Sequence, residues 1–478
     1  MVKLHTIQHM FAHHSEFKCR SVQVGTQMLH VLFISSLADE KLIQEAVLHE
    51  IQCPPVTRCH VIITPEVLLN ALPIKEAYIS DELVDISSKL LNGWCYVQFE
   101  QLDQGLLLNT AALPHRTLAK AEIETDIFGS QVAFVERLAT NLGLIYQLLP
   151  DTKLHSEVIQ IGTATKTTVS LLYLEGAADA HIVEQLKMRV AELEPLNGVF
   201  DSLKLAQLID DNSSTLFPTI LHTERPDRVC KFLLEGKISL LVDGCPFAIV
   251  CPVTLYEFLH VNTDMNARRS IGILLRLLRI TAMFFSIFGT AFYVAAITFH
   301  YQILPPELLK TLIRSHSKVP FPPIFEALLL EIVVELLREA GVRLPTKVGQ
   351  TMGIVGGIVI GQAAVEAGFV SNVLLMIVAL AALASFTIPN FSMSNTQQIL
   401  RFPFIILAGF WGGIGIVIGI SFLTIHLARQ TSIGKPYLQP QSILSTRTEE
   451  HAKVHPWWSV ITRSAASQMV KRNKDFKE

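Results

Sequence analysis

The region Val348–Leu427 holds only two formally charged residues, Glu366 and Arg401, in eighty positions. Residues 367–400 form one uncharged run of 34, and residues 402–428 form another of 27. About 20 apolar helical residues cross the hydrocarbon core of a bilayer, and only helices or closed barrels cross it with every backbone group hydrogen-bonded. These runs lack the alternation of barrel strands. The sequence therefore predicts an all-α, polytopic membrane domain in the carboxyl-terminal half.

Four segments of this predicted domain, residues 263–430, have the length and low charge of membrane spans. They are about 280–299, 350–367, 370–391 and 403–427. Arginines stand just before the first segment, and Arg429 and Lys435 follow the last. Because positive residues mark the cytoplasmic side, both ends of the domain are expected there, and the number of crossings is expected to be even.

A fifth apolar segment, residues 322–341, is predicted to be an amphipathic helix that lies along the membrane interface or lines a wet vestibule. Its acids Glu331, Glu335 and Glu339 fall within one arc of about 100°, with aliphatic residues around the rest. Leaving this segment out gives four spans. A competing scheme counts it as a full span and adds a re-entrant segment.

The predicted span 350–367 is rich in glycine and alanine, which permits close helix packing. It carries Gln362 and Glu366 one turn apart, and Val355 and Val359 continue that face. Since a carboxylate in a membrane helix usually faces water or a partner, we predict a pore-lining face with a hydrophobic constriction at the two valines. The alternative is a buried structural ion pair between Glu366 and a basic residue: Arg343, Lys347 or Arg401.

Residues 1–270 carry charge at the density of a soluble protein and contain all seven cysteines, none in a Cys-x-x-Cys pair. This pattern favours a reducing cytoplasm over a disulfide framework. The amino terminus has no apolar core behind its charges, so no signal peptide is expected, and residues 1–19 are predicted to be flexible. Four histidines at helical spacing there suggest a metal-binding face, but no further ligand completes it and no metal is predicted. They are His5, His9, His13 and His14.

A faint internal repeat predicts two related α/β subdomains, residues 20–117 and 155–262, joined by a helical linker over 118–154. Leu32–Val47 aligns with Leu172–Lys187 at an offset of 140. Each of these stretches is a short apolar run, a small-residue turn with aspartate and an amphipathic helix.

A second part of the repeat predicts a helix, a glycine stop and a strand. Asp81–Glu100 resembles Asp227–Asp243, and the two helices are expected to end at Gly93 and Gly236. The apolar run that follows, Ile238–Leu259, contains Asp243-Gly244 and flanking prolines. These features predict a buried hairpin rather than a membrane span.

Composition and motifs exclude several function classes. The formal net charge is −3, and no basic stripe interleaved with aromatics indicates a nucleic-acid partner. The sequence has no Gly-x-Ser-x-Gly elbow, phosphate-binding loop or His-Glu-x-x-His motif, so we predict that the protein is not an enzyme and uses no cofactor. The basic tail, residues 431–478, suits either an anionic inner leaflet or a disordered soluble end.

Six motif regions occur in order and carry a family resemblance. They are Thr223-Glu224-Arg225-Pro226-Asp227; Glu235-Gly236-Lys237 with Asp243-Gly244-Cys245-Pro246-Phe247; Val319-Pro320-Phe321-Pro322; Arg338-Glu339-Ala340-Gly341-Val342-Arg343-Leu344-Pro345; Gly361-Gln362-Ala363-Ala364-Val365; and Gly434-Lys435-Pro436-Tyr437-Leu438-x-Pro440. In these motifs the chain resembles the A subunit of GerA-type spore germination receptors of endospore-forming bacteria. The resemblance runs from about residue 30 to residue 440.

The resemblance implies a multi-pass protein of the spore inner membrane, with its amino- and carboxyl-terminal regions on the cytoplasmic, spore-core side. It implies two partners, a transporter-like, nutrient-sensing B subunit and a lipoprotein C subunit. It also implies a homo-oligomer in membrane lipid that forms a nutrient-gated channel for monovalent cations and starts germination. The alternatives are a transporter-like subunit, which predicts inverted repeats and helices broken at mid-membrane, or a non-conducting scaffold that couples a separate sensor subunit to germination.

The charged motif residues are expected to be structural. They are Glu224, Arg225, Asp227, Asp243, Arg338 and Arg343. Asp227 is expected to cap the helix that begins at Pro226, and Glu224 and Arg225 to form ion pairs at the subdomain interface. The chain departs from the family pattern in the linker, where Glu122–Phe134 keeps only Gly129 and some acids, and where Tyr146-Gln147 replace a basic residue.

Overall fold

The structure, a computed structural model, describes residues 2–24, 27–52, 64–74, 76–99, 102, 104–111, 121, 124, 129–195, 198, 201–259, 269–317, 319–343 and 361–438. The chain divides into two compact units. The N-terminal unit comprises Met1–Ser213, Thr219–Val253 and Ser432–Lys435, and the helical unit comprises the remaining segments. The N-terminal unit is α/β with two antiparallel sheets, and the second unit is helical with apolar helices, which confirms the predicted fold class.

Within the described residues, ten strands of the N-terminal unit form two five-stranded sheets. The strands are β1 (Phe17–Val24), β2 (Gln27–Ile34), β3 (Ala77–Ser80), β4 (Cys95–Phe99), β5 (Gly105–Leu108), β6 (Leu154–Ile161), β7 (Thr167–Leu174), β8 (Leu221–Thr223), β9 (Ile238–Val242) and β10 (Ala248–Cys251). The first sheet has the order β1-β2-β4-β5-β3, and the second has the order β6-β7-β9-β10-β8. The two orders are the same topology, so the predicted duplication is present in the fold.

Helices cover these sheets, and two buried hydrophobic clusters lie one in each subdomain. The helices are α1 (Val2–Met10), α2 (Glu40–Leu42), a π-helical segment (Ile43–His49), α3 (Glu50–Gln52), α4 (Pro65–Ala71), α5 (Leu83–Leu91), α6 (Leu138–Leu148), α7 (Ala180–Ala191), α8 (Ser202–Ile209) and α9 (Pro226–Leu234). Strand β2 and strand β7 are offset by 140 residues, the offset found in the sequence.

The two glycine stops repeat in detail. Gly93 and Gly236 have φ of 83° and 82°, and each ends a helix before an inner strand. A Cβ at Gly93 would lie 2.6 Å from the carbonyl oxygen of Leu37, and a Cβ at Gly236 would overlap the carbonyl oxygen of Ala177. Both carbonyls follow the second strand of their subdomain. Glycine is therefore required at each site for two reasons: the left-handed backbone, and the close approach of the carbonyl oxygen.

Replacing Gly236 with alanine is expected to lower the free energy of unfolding of the N-terminal unit by about 2–4 kcal/mol, from left-handed strain plus overpacking. Gly176→Ala is the matched control, because Gly176 has the same left-handed backbone, with φ of 83°, but a Cβ there would meet no atom within 4 Å. The control should lose only about 1 kcal/mol. Equal losses for the two variants in thermal or denaturant unfolding would show that the approach to Ala177 has no energetic weight.

The hairpin prediction for Ile238–Leu259 is confirmed for its strands, because β9 and β10 pair antiparallel across Gly244. The expectation of a flexible segment over 1–19 is corrected. Residues 2–10 form α1, and β1 begins at Phe17. Ile7 and Phe11 are buried, so apolar anchoring fixes this segment despite its terminal position.

Two histidines of this segment, His13 and His14, pack against other rings of the unit. His13 stacks on His155 with ring centroids 4.1 Å apart, and His14 lies buried beside Tyr146. Burial lowers the pKa of His14 to about 4, so the ring is neutral near pH 7. Among the described residues, no group of three or more His, Cys, Asp or Glu side chains is arranged to hold a metal ion.

The helical unit contains six labelled helices in its described part. They are α10 (Leu255–Leu259), α11 (Arg269–Thr298), α12 (Pro306–His316), α13 (Pro323–Arg343), α14 (Asn372–Ser385) and α15 (Phe391–Arg429). In the described part of the chain, Ser270–Thr298 and Phe391–Arg429 are long and apolar enough to cross a bilayer, while α14 is shorter. Contacts fix the directions of the helices. Ser286 meets Arg401 and Phe288 meets Phe404, so α11 and the start of α15 run parallel.

Helix α15 is not one straight rod, because the chain reverses at Gly412. That residue has φ 60° and ψ −137°, outside the helical region. A Cβ at Gly419 would lie 2.5 Å from Phe404 Cε1, and a Cβ at Gly415 would overlap the carbonyl oxygen of Leu407. Residues that precede Gly412 are thus in contact with residues that follow it, as in a helical hairpin. The first arm, 391–411, is about 31 Å long and the second, 413–429, about 25 Å.

The turn of the hairpin lies at the end of α11, not at its middle. A Cβ at Gly412 would lie 2.9 Å from the Phe299 ring, and Gly413 N donates to His300 Nε2 at 3.1 Å. The break at Gly412 is therefore level with the carboxyl-terminal end of α11.

The structure differs from three of the predicted spans. The span at 280–299 corresponds to α11, which begins eleven residues earlier, and the span at 403–427 is divided by Gly412. The span at 370–391 is shorter because α14 ends at Ser385, before Pro389. Most of 350–367 lies outside the described residues, as does the tail from residue 439.

Two domain limits also change. The linker 118–154 is helical only over α6 in its described residues. Ser432–Lys435, expected in the tail, belongs to the N-terminal unit, where Ser432 Oγ donates to the carbonyl oxygen of Thr219 at 2.6 Å.

Candidate functional site

A buried ion pair joins four helices of the helical unit. Arg401 Nη1 on α15 donates to Glu331 Oε2 on α13 at 3.2 Å, and each side chain is only 3% exposed. Arg401 Nη2 also donates to Ser286 Oγ on α11 at 2.7 Å and to the carbonyl oxygen of Ala381 on α14 at 2.8 Å. Thr290 Oγ1 donates to Glu331 Oε1 at 2.9 Å. Each charge has both a counter-ion and a hydrogen-bonded neighbour, which burial among apolar helices requires.

Helix α13 buries two acids inside the bundle and exposes several large apolar side chains. Glu326 and Glu331 are buried, whereas Phe325, Ile332 and Leu336 are about half exposed or more. A helix at a water interface has the opposite arrangement. The expectation that 322–341 lies along the interface is therefore corrected, because two of its acids, Glu326 and Glu331, find partners inside the bundle. By length and composition α13 is not among the bilayer-crossing helices of the described chain, and the competing scheme, which counts it as a span, stays a prediction.

Glu326 forms a second buried contact at the other end of α13. Its side chain accepts from the backbone N–H of Ser371, the N-cap of α14, and from His316 Nδ1 at 3.1 Å. Tyr293 OH lies 3.3 Å from Ser371 Oγ. A carboxylate at a helix N-terminus is stabilised by the exposed N–H groups and the helix dipole, so Glu326 fixes the start of α14 against α13.

The remaining predicted acids and basic residues of α13 lie toward its last turns. Arg338 Nη2 donates to Glu335, and Arg338 Nη1 donates to Asn395 Oδ1 at 2.8 Å. Glu339 is exposed. Arg343 ends the helix, and its side chain is outside the described residues. The hydrogen bond to Asn395 joins α13 to α15, and the structural role of Arg338 stays a prediction.

The predicted pore-lining residues fall partly within the described chain. Residues 361–366 are helical, and Gln362 Nε2 donates to Glu366 Oε1 at 2.8 Å on an exposed face. Val355 and Val359 lie outside the described residues. Arg401 is engaged by Glu331, so it is not the partner of Glu366 that the structural alternative allowed. The Glu366 side chain is thus exposed and hydrogen-bonded to one amide.

The N-terminal motif residues bind the linker to the second subdomain. Arg225 Nε and Nη2 donate to the two carboxylate oxygens of Asp227 at 3.0 and 2.7 Å. Asp227 therefore pairs with Arg225 rather than capping α9, because Pro226 supplies the first helical residue and Arg225 is the N-cap. Glu224 Oε1 accepts from the backbone N–H of Glu124 at 2.7 Å.

Glu124 and Asp243 explain how the unusual linker is held. The Glu124 carboxylate accepts from Arg228 Nη1 and from Thr223 Oγ1, both at 2.6 Å. Asp243 Oδ1 accepts from the backbone N–H of Leu138 at 3.0 Å, at the start of α6. Glu124 belongs to the linker segment that departs from the family pattern, and its hydrogen bonds attach this segment to the second subdomain.

Sequence reasoning missed the partners of the buried charges. Ser286 and Thr290 do not stand out in the sequence, because their partners Arg401 and Glu331 lie 115 and 41 positions away. A signal for Glu326 was present, since it is the first of five charged residues in a segment otherwise apolar enough to span a membrane.

Comparison with known proteins adds the family. The model of the Bacillus/Clostridium GerA spore germination protein family matches residues 5–475. The chain is 46% identical to spore germination protein GerQA of Bacillus cereus over 404 residues, 84% of this chain and 79% of that protein. It is 35% identical over 399 residues to the uncharacterized membrane protein YfkQ of Bacillus subtilis, 83% of this chain and 78% of that protein.

A crystal structure of the N-terminal domain of the A subunit of the Bacillus megaterium spore germinant receptor GerK3 also matches. It is 25% identical, covers 52% of this chain and 92% of its own, and has a TM-score of 0.41. The family match over nearly the whole length and the similarity to GerQA confirm the resemblance found in the motifs. The chain belongs to the GerA family of spore germination proteins.

Proposed function

We propose that the protein is the A subunit of a nutrient germinant receptor in the spore inner membrane, and that copies of its helical unit form a gated path for monovalent cations. Membership in the family and the similarity to GerQA support the germination role and the subunit type. The B and C subunits are its proposed partners. Both chain ends are proposed to face the spore core.

The exposed pair Gln362–Glu366 is the observation that carries the channel proposal. Glu326 and Glu331, the buried carboxylates of the bundle, are paired inside it, whereas Glu366 lies on the outer face beside a glycine- and alanine-rich turn. A charge that faces lipid costs free energy, so this face requires water or another protomer. A ring of such faces around a central axis supplies oxygen ligands to cations and excludes lipid.

The pathway can be tested without knowing the nutrient. Val359→Ala removes two methyl groups from the proposed constriction and is expected to raise basal K⁺ efflux from liposomes that hold the full-length protein and its two partner subunits. Adding Glu366→Gln to this variant is expected to lower the efflux about tenfold, because a cation loses its counter-charge in the path, about 1.4 kcal/mol.

Glu307→Gln in the same background is the matched control. Glu307 is exposed on α12, and its carboxylate lies 3.8 Å from Lys310 Nζ, so this variant loses one exposed acid elsewhere and should keep the full efflux. Equal efflux from the Glu366 and Glu307 variants contradicts the proposed position of the path. A scaffold subunit predicts no efflux from any combination.

A further inference from the structure

The first arm of α15 contains buried polar atoms that no protein atom satisfies within the described residues. Gln397 is completely buried, and neither its Oε1 nor its Nε2 has a hydrogen-bond partner in the described part of the chain. Gln398 Oε1 and Arg401 Nε are likewise buried without a partner there. These three side chains lie within two turns of one helix, in an apolar bundle where an unmet polar group costs free energy.

The amide orientation does not account for this. Exchanging the nitrogen and oxygen of Gln397 leaves the same two positions without partners, because both are unmet. The partner that is required must donate hydrogen bonds to amide oxygens and also accept them from Gln397 Nε2 and Arg401 Nε. A bare cation binds only the oxygens and is repelled by Arg401, and an anion accepts only. Water meets both requirements.

From this cluster, polar side chains continue along the first arm of α15 in one direction only. Toward Gly412 the arm is closed by Phe404, Ile405 and Ala408, all buried and apolar. In the other direction lie Asn395 and Arg338, which are joined by a 2.8 Å hydrogen bond and are partly exposed. The polar track therefore runs from the partly exposed Arg338 to the buried Arg401–Glu331 pair.

We propose that each protomer holds a buried water site at Gln397, Gln398 and Arg401, which connects to solvent past Asn395 and Arg338. The site is inside the bundle and is separate from the Gln362–Glu366 face, so it does not depend on the proposed cation path. Water next to Arg401 supplies the hydrogen bonds that its Nε and the two amides lack. It also lowers the free energy needed to separate Arg401 from Glu331.

Cysteine accessibility tests this site directly. Every native cysteine lies at or before position 251, so a cysteine placed in α15 is the only one in the membrane half. Gln397→Cys in the full-length protein should react with 2-aminoethyl methanethiosulfonate more than about tenfold faster than Ile405→Cys, since the reactive thiolate forms only where water reaches it. Ile405 is equally buried and lies two turns along the same helix. Peptide mass spectrometry reads the modification, with the unmodified wild-type chain as the blank.

A second variant keeps the test decisive if the cysteine disturbs folding. In the variant Gln397→Met, the methionine side chain has nearly the same volume as the glutamine that it replaces. If water fills the site, methionine displaces it and leaves Arg401 Nε and Gln398 Oε1 without partners, so the melting temperature falls by roughly 3 °C or more. If the site is dry, removing an unpaired amide raises the melting temperature. A rise for Gln397→Met, or a Gln397→Cys rate no faster than that of Ile405→Cys, overturns the proposal.

Discussion

Replacing Arg401 with methionine is expected to destabilise the helical unit by about 3–5 kcal/mol, because Glu331 then remains buried without a counter-ion. The loss includes the hydrogen bonds of Arg401 to Ser286 and to the Ala381 carbonyl oxygen. Thermal unfolding of the full-length protein in detergent measures the effect, and at roughly 2–4 °C for each kcal/mol the midpoint of the helical unit should fall by about 10 °C.

Two further variants separate charge burial from packing. Glu331→Met combined with Arg401→Met removes both charges and should recover most of the loss, since replacing a whole buried pair with apolar groups is often neutral. Arg429→Met, an exposed arginine on the second arm of α15, should change stability by less than about 0.5 kcal/mol. If Arg401→Met resembled Arg429→Met, the ion pair would not hold the four helices together.

Gly412→Ala is expected to be the second most damaging change, with a loss of roughly 3 kcal/mol or more. Its φ of 60° and ψ of −137° lie in a region that side chains avoid, and its Cβ would lie 2.9 Å from the Phe299 ring. Alanine instead favours a straight helix through this position. Loss of the helical unit's cooperative melting transition, or a lower midpoint in detergent, measures the outcome.

Gly361→Ala provides the control for this substitution. Gly361 is helical, and its Cβ would meet Leu375 at an ordinary 3.6 Å. There alanine should be neutral or stabilising by up to about 1 kcal/mol, through helix propensity alone. A Gly412→Ala variant as stable as Gly361→Ala would mean that α15 does not reverse at this residue.

Local signals predicted the α/β fold of the N-terminal unit well. The helix ends at Gly93 and Gly236 depend on neighbouring residues only, and so does the hairpin at Asp243-Gly244. These features were therefore predictable from the sequence alone. The repeat predicted that β2 and β7 occupy corresponding positions 140 residues apart. They do so because both copies keep the same strand lengths. The prediction of a flexible amino terminus was wrong, because the burial of Ile7 and Phe11 depends on contacts far along the chain.

The helical unit was harder to predict, because hydropathy measures the length of an apolar segment and not the direction of the chain. Phe402–Ala428 is continuously uncharged, and nothing in that run distinguishes a straight span from a hairpin except one glycine among several. Likewise, the acids of α13 form a polar arc either at an interface or inside a bundle. Only the partner Arg401, 70 positions away, decides between the two.

The candidate pore residues stay a prediction from the sequence. The structure places Gln362 and Glu366 on an exposed face, as a shared path requires. Their neighbours Val355 and Val359 are outside the described residues. We propose that Glu366 faces the water through which cations pass.

Chemical modification at position 366 tests that claim most directly. In the Val359→Ala background, Glu366→Cys puts the only thiol of the membrane half in the proposed path. Treating liposomes that hold this variant and its partner subunits with a trimethylammonium-ethyl methanethiosulfonate attaches a fixed positive charge. The account predicts that K⁺ efflux then stops, while the Val359→Ala protein without the new cysteine is unaffected. Complete modification of the Glu366→Cys variant with unchanged efflux would contradict it.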